Sequence, residues 1–103
     1  MTSEWGNILR THWGIDACLT KLPGEYDLNF LVETSDGDGF VLKVMRPDCD
    51  SSLVALQIAA LGHIAERTPN LPFPQVIPTL SGDQMMTHSD LDGELRLLWV
   101  LQR

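Results

Sequence analysis

A chain of 103 residues is long enough for one compact domain with a modest core, and too short for two independent domains. Apolar residues make up 44% of the chain and charged residues 20%, a balance that excludes wholesale disorder. With 14 acidic against 7 basic side chains, the formal net charge of −7 argues against nucleic acid and against an anionic membrane surface as partners.

The first predicted element is a short amphipathic helix over residues 3 to 14. Trp5, Ile8 and Leu9 lie three and four residues apart, the spacing of one helix face, and Gly14 is a natural stop. We expect this aromatic face to pack on the protein's own sheet rather than on a partner.

Three strands are predicted next, at residues 17 to 22, 28 to 34 and 40 to 45. The link Asp36-Gly37-Asp38-Gly39 has hairpin turn chemistry, because Asp-Gly pairs tolerate positive φ. Consecutive strands with short links predict an antiparallel meander rather than a βαβ unit.

A long helix ending near Arg67 is the next predicted element, with Asp50, Ser51 and Ser52 as N-cap candidates. Its predicted buried face consists of Leu53, Leu56, Ala60, Leu61 and Ile64. A proline-rich link then leads to a strand at 75 to 80, residues 84 to 88 are ambiguous, and an apolar strand over 95 to 101 closes the chain. The predicted fold is one α+β domain, residues 1–103, with a five-stranded antiparallel sheet backed by one long helix, plus the short N-terminal helix.

The two cysteines, Cys18 and Cys49, form neither a CxxC pair nor a zinc-type cluster with histidine, so no metal site is expected. The N-terminus is polar, and no run of about 18 apolar residues occurs. We therefore expect a reduced, cytoplasmic protein.

Lys43 is an unusual residue for the third strand, because both faces of that strand are otherwise largely apolar. It shares one face with Val41 and Met45. An ammonium group there either extends to solvent at a sheet edge or serves an anion that comes to the sheet. The strand pattern alone leaves both interpretations open.

The segment FVLKVM resembles the third strand of protein-kinase-like folds of the aminoglycoside and choline phosphotransferase type. LQIAALGHIAERTPNLPFPQVIPTLSGD resembles the helix, proline link and fourth strand that follow it in that family. LPGEYDLNFLVET and LQIAALGHI are more narrowly similar to hydroxylysine-kinase-like phosphotransferases. The resemblance spans nearly the whole chain and implies the N-terminal lobe of a kinase, without the catalytic loop or magnesium ligands of a C-terminal lobe.

The resemblance implies that Lys43 contacts the α- and β-phosphates of ATP. The link between the first two strands would cover the triphosphate with Gly24, Tyr26 and Asn29, although it contains no GxGxxG motif. No catalytic residue and no metal ligand are expected within these 103 residues.

Two further contacts are implied by the same resemblance. Gln57 takes the position of the helix glutamate that usually pairs with the lysine; an amide can accept the hydrogen bond but cannot supply the charge. Near the end of the last strand, Val100 and Leu101 would offer backbone hydrogen bonds to adenine.

The intact enzyme would use ATP and Mg²⁺ to phosphorylate a hydroxyl of a small amine or amino-acid-like molecule. The protein ligands of the Mg²⁺ ion would lie in the C-terminal lobe. The fragment alone would be inactive and would self-associate through an exposed hinge-side surface. The alternative is a self-sufficient α+β binding module without catalysis, in which Trp5, Trp13 and the final strand bury a partner's surface.

Overall fold

A computed structural model describes residues 4–23, 27–67 and 74–102 of the chain. Helix α1 spans Glu4–Ile8 and continues directly as a π-helical segment over Leu9–Trp13. Helix α2 spans Ser51–Arg67. The strands β1 to β6 span Ala17–Leu22, Leu28–Thr34, Gly39–Val44, Gln75–Ile77, Met86–Ser89 and Leu95–Gln102.

The six described strands form one antiparallel sheet in the order β1-β2-β3-β6-β4, and β5 also pairs with β6. The short strands β4 and β5 lie one after the other along the same side of β6, because each pairs with a different half of it. The sheet is therefore five positions wide, and the predicted α+β class is confirmed. Residues 84 to 88, ambiguous in sequence, largely form β5, and the strand predicted over 75 to 80 ends at Ile77.

One face of the sheet is covered by α1 and its π-helical continuation. Trp5, Ile8, Leu9 and Trp13 are all buried there, against strand residues that include Leu42. The Trp13 indole N–H donates a hydrogen bond of 2.9 Å to the carbonyl oxygen at position 77, just where β4 ends. The prediction that the aromatic face packs on the protein's own sheet is confirmed.

The opposite face of the sheet is covered by α2. Asp50 caps the helix, since its Oδ1 accepts hydrogen bonds from the backbone N–H and the hydroxyl of Ser52, at 2.9 and 2.6 Å. Val54 and Ile58 are buried against the sheet.

The predicted buried face of α2 is wrong in part, because Leu53 and Leu56 are 59% and 66% exposed and Ala60 is exposed as well. The observed contact runs through Val54, Ile58 and Leu61, at intervals of four and three residues. Apolar side chains occur almost all round this helix, so the sequence pattern cannot select the face that meets the sheet.

Two structural features are absent from the described part of the chain, a membrane-spanning helix and a cluster of metal-binding side chains. No helix in residues 4–23, 27–67 and 74–102 is long and apolar enough to cross a membrane. The same residues contain no group of three or more histidine, cysteine, aspartate or glutamate side chains placed to hold a metal ion.

Candidate functional site

The strand register places three side chains in one row across the sheet. Asn29 in β2 is opposite Lys43 in β3, and Lys43 is opposite Trp99 in β6. Directly opposed residues of antiparallel strands point to the same face, here the face that α2 covers. We call Asn29, Lys43 and Trp99 the lysine row.

Lys43 lies in the interior of the sheet, because β3 is flanked by β2 on one side and by β6 on the other. It is therefore not a lysine that reaches solvent across a sheet edge. Its side chain is partly buried, and its Nζ lies 5.7 Å from the centroid of the Trp99 ring. That distance is within the range of a cation–π attraction.

Trp99 presents a fixed ring to the lysine. The residue is only 2% exposed, and its indole N–H donates a 3.4 Å hydrogen bond to Sδ of Met45. Because both the packing and this hydrogen bond hold the ring, its π face is available to the ammonium without rearrangement.

The charge of Lys43 has no carboxylate partner within the described part of the chain. The ion pairs there join Arg10 to Asp16, Arg46 to Asp48, His88 to Glu4 and Arg96 to Asp90. Lys43 therefore meets a π face but no carboxylate among the described residues, so no anionic side chain there neutralises its ammonium group.

Asn29 lies inside β2, within the strand predicted over residues 28 to 34, and the phosphate-covering role that the resemblance implies for it stays a prediction. Its Oδ1 is buried and accepts no hydrogen bond from any described residue. The hairpin turn between β2 and β3 could have revealed its position. In an antiparallel hairpin, residues at equal distances from the turn are paired. Counting from the pair of Glu33 and Gly39, four residues along each strand bring Asn29 opposite Lys43.

Gln57 lies on the exposed side of α2, at a groove of about 280 Å³. The groove is lined by Asp27, Met45, Arg46, Cys49, Asp50, Leu53, Val54 and Gln57. Among the described residues, Lys43 neither lines this groove nor forms a hydrogen bond with Gln57. The pairing of Gln57 with the lysine stays a prediction.

The groove has an acidic character. Burial raises the pKa of the Cys49 thiol, and the carboxylate of Asp27 raises it further, while Arg46 acts in the opposite direction. Asp27 also ties the start of β2 to the end of β3, because its Oδ1 accepts a 2.8 Å hydrogen bond from the Arg46 backbone N–H. A neutral thiol among carboxylates offers little to a phosphate.

Of the remaining predicted contacts, Gly24 and Tyr26 lie outside the described residues. Val100 is fully buried on the α1 face, and Leu101 packs on the α2 face beside Trp99. Both residues pair with β3 on one side and with β4 on the other. Their backbone groups therefore lie within the hydrogen-bonded sheet, and pairing ends at Gln102.

These features define an α+β protein whose antiparallel sheet is covered by helices on both faces and carries a lysine on an interior strand. In comparison with curated proteins, the chain is 35% identical over 94 residues to hydroxylysine kinase of Danio rerio. The match covers 87% of this chain and 25% of that protein, so the chain spans about a quarter of the length of the relative. No family model matches the chain, and no solved structure matches it.

Proposed function

We propose that the chain is the nucleotide-binding lobe of a small-molecule phosphotransferase, which transfers the γ-phosphoryl group of ATP to a hydroxyl of an amine or amino-acid-like substrate. The observation that carries the proposal is Lys43, an ammonium on an interior strand that faces Trp99 and has no carboxylate partner in the described residues. The 35% identity to a hydroxylysine kinase supports it, because that name describes an amino acid with a hydroxyl acceptor.

Phosphoryl transfer depends on positioning and on charge neutralisation more than on covalent chemistry. In this proposal Lys43 binds oxygens of the α- and β-phosphates, and Gly24 and Tyr26 cover the triphosphate. In the same proposal, adenine lies beside the end of β6, near Val100 and Leu101, which both belong to the paired part of the strand.

Mg²⁺ would neutralise further charge on the phosphates, and its ligands and the catalytic loop would belong to a second lobe. The 103 residues alone would then bind nucleotide weakly and show no turnover. Measurable consumption of ATP by these residues alone would contradict the proposal that catalysis requires a second lobe.

The lysine can be tested with a matched pair of variants in the intact protein. Lys43→Met removes the ammonium from the lysine row, and Lys21→Met removes the same charge from an exposed position on the edge strand β1. Calorimetric titration with Mg·ADP should show binding weakened roughly tenfold or more for Lys43→Met. Lys21→Met should match the wild type, and equal affinities for all three proteins would contradict the proposal.

The alternative, a binding module without catalysis, requires Trp5 and Trp13 to be accessible to a partner, and the structure buries both. Trp5 and Trp13 are 9% and 4% exposed and are already packed on the protein's own sheet. Self-association through the hinge side stays a prediction, and Val100, being fully buried, would not contribute to that contact.

A further inference from the structure

The proposed function leaves one polar atom of the lysine row without a role. Oδ1 of Asn29 is buried and has no hydrogen-bond donor among the described residues. An acceptor removed from water and left unpaired destabilises the fold, so its presence calls for a donor that approaches it. The nearest cation in the strand register is the ammonium of Lys43, directly opposite on β3.

The ammonium of Lys43 has three N–H donors on a flexible four-carbon stem. Trp99 attracts the cation from the β6 side through its π face. Asn29 flanks it from the β2 side with the unpaired oxygen. One donor directed to the ring and one to the amide oxygen would leave the third for an anion.

We propose that Asn29 is the positioning residue for Lys43: its Oδ1 accepts a hydrogen bond from the ammonium and aims the third donor at the phosphates. This role rests on the proposed function. In this proposal a side chain of β2, and not Gln57 of α2, positions the lysine. The exposed position of Gln57 agrees with that assignment.

A neutral acceptor has a chemical consequence that a carboxylate would not have. The amide orients the ammonium without cancelling its charge, so the whole positive charge remains available to the polyphosphate. Asn29→Asp should therefore hold the lysine more strongly and yet weaken nucleotide binding, since the new carboxylate competes with the phosphates and repels them.

A double-mutant cycle tests the role in the intact protein. Mg·ADP affinities are measured by calorimetry for the wild type, Asn29→Leu, Lys43→Met and the double variant. Leucine is similar in size to asparagine and lacks the acceptor, and circular dichroism confirms that each variant is folded. Asn29→Leu should weaken binding roughly tenfold when Lys43 is present and have no further effect when methionine replaces it.

A merely structural role would weaken binding by the same factor in both backgrounds, and that result would overturn the proposal. Binding that requires Lys43 but is unchanged by Asn29→Leu, or is tightened by Asn29→Asp, would overturn it as well and leave the proposed function intact. Binding that is indifferent to Lys43 would overturn the proposed function itself.

Discussion

Lys43 and Trp99 face each other across the β3–β6 pair, with the lysine Nζ 5.7 Å from the centre of the indole ring. The two residues differ in what they contribute to the fold. Trp99 is almost fully buried between the sheet and α2, whereas Lys43 as a residue is only partly buried. Stability and ligand binding should therefore respond differently to changes at the two positions.

Lys43→Met should lower the free energy of unfolding by no more than about 2 kcal/mol, because methionine retains most of the packing and loses the cation–π attraction and the hydrogen bond proposed for Asn29. Trp99→Ala should lower it by about 3–5 kcal/mol, since it empties a large volume in the core. Urea denaturation of the 103-residue chain measures both. If Lys43→Met were as destabilising as Trp99→Ala, Lys43 would be a structural residue, and its loss could not be used to test binding.

The two sides of α2 should differ strongly in their sensitivity to truncation. Ile58→Ala should lower the free energy of unfolding by about 2–5 kcal/mol, because Ile58 is 3% exposed and packs on the sheet. Leu56→Ala, in the same helix and also an aliphatic-to-alanine change, should stay within about 0.5 kcal/mol of the wild type, because Leu56 is 66% exposed. Guanidinium denaturation of both variants provides the comparison, and similar losses would mean that another surface covers Leu56.

The sequence predicted the elements with strong local signals. The Asp-Gly turn at Asp36 and Gly37 specified the β2–β3 hairpin, and Asp50 specified the start of α2. Residues 84 to 88 have no alternating pattern, so their sequence does not predict β5. The strand exists because one half of β6 offers it a pairing partner. Such pairing is a property of the sheet and is not encoded in the local segment.

The candidate site was predicted at Lys43 but not in its surroundings. A lysine in an apolar strand is visible in the sequence, whereas its neighbours on other strands depend on register. The resemblance implies a phosphate-covering role for Asn29, but only the hairpin register shows that its side chain lies opposite the lysine. The resemblance places Gln57 at the helix position that faces the lysine, but a position along a helix does not determine how α2 is rotated against the sheet.

The two cysteines should differ in their reactivity toward alkylating reagents. Cys18 is exposed, whereas burial and the nearby carboxylate of Asp27 raise the pKa of Cys49. A raised pKa means a smaller thiolate fraction at any mildly alkaline pH, so Cys49 should react more slowly with iodoacetamide.

Limited alkylation followed by peptide mass spectrometry measures the two rates in one sample. Cys18→Ser is the control that isolates the Cys49 rate, and unfolding in urea should bring both thiols to similar rates. Equal rates in the folded protein would show that the groove leaves Cys49 open to the reagent.

The ion pair between Asp90 and Arg96 should make part of the stability depend on acidic pH. Arg96 Nε donates a 2.7 Å hydrogen bond to Oδ2 of Asp90, and this bond is the main reason that the pKa of Asp90 lies below its ordinary value of 3.8. Because the folded pKa is lower than the unfolded one, the stabilisation is fully present above pH 3.8 and is lost as the pH falls through the folded pKa.

Asp90→Asn isolates the charge, because asparagine keeps an oxygen that can accept the backbone N–H groups of Asp92 and Glu94. The variant should be less stable than the wild type at neutral pH, and the difference should shrink as the pH falls below about 4. Asp92→Asn removes the same charge from an exposed position of the same turn and should follow the wild-type profile. Urea denaturation across this pH range measures all three proteins; a difference between Asp90→Asn and the wild type that did not change with pH would exclude the proposed linkage.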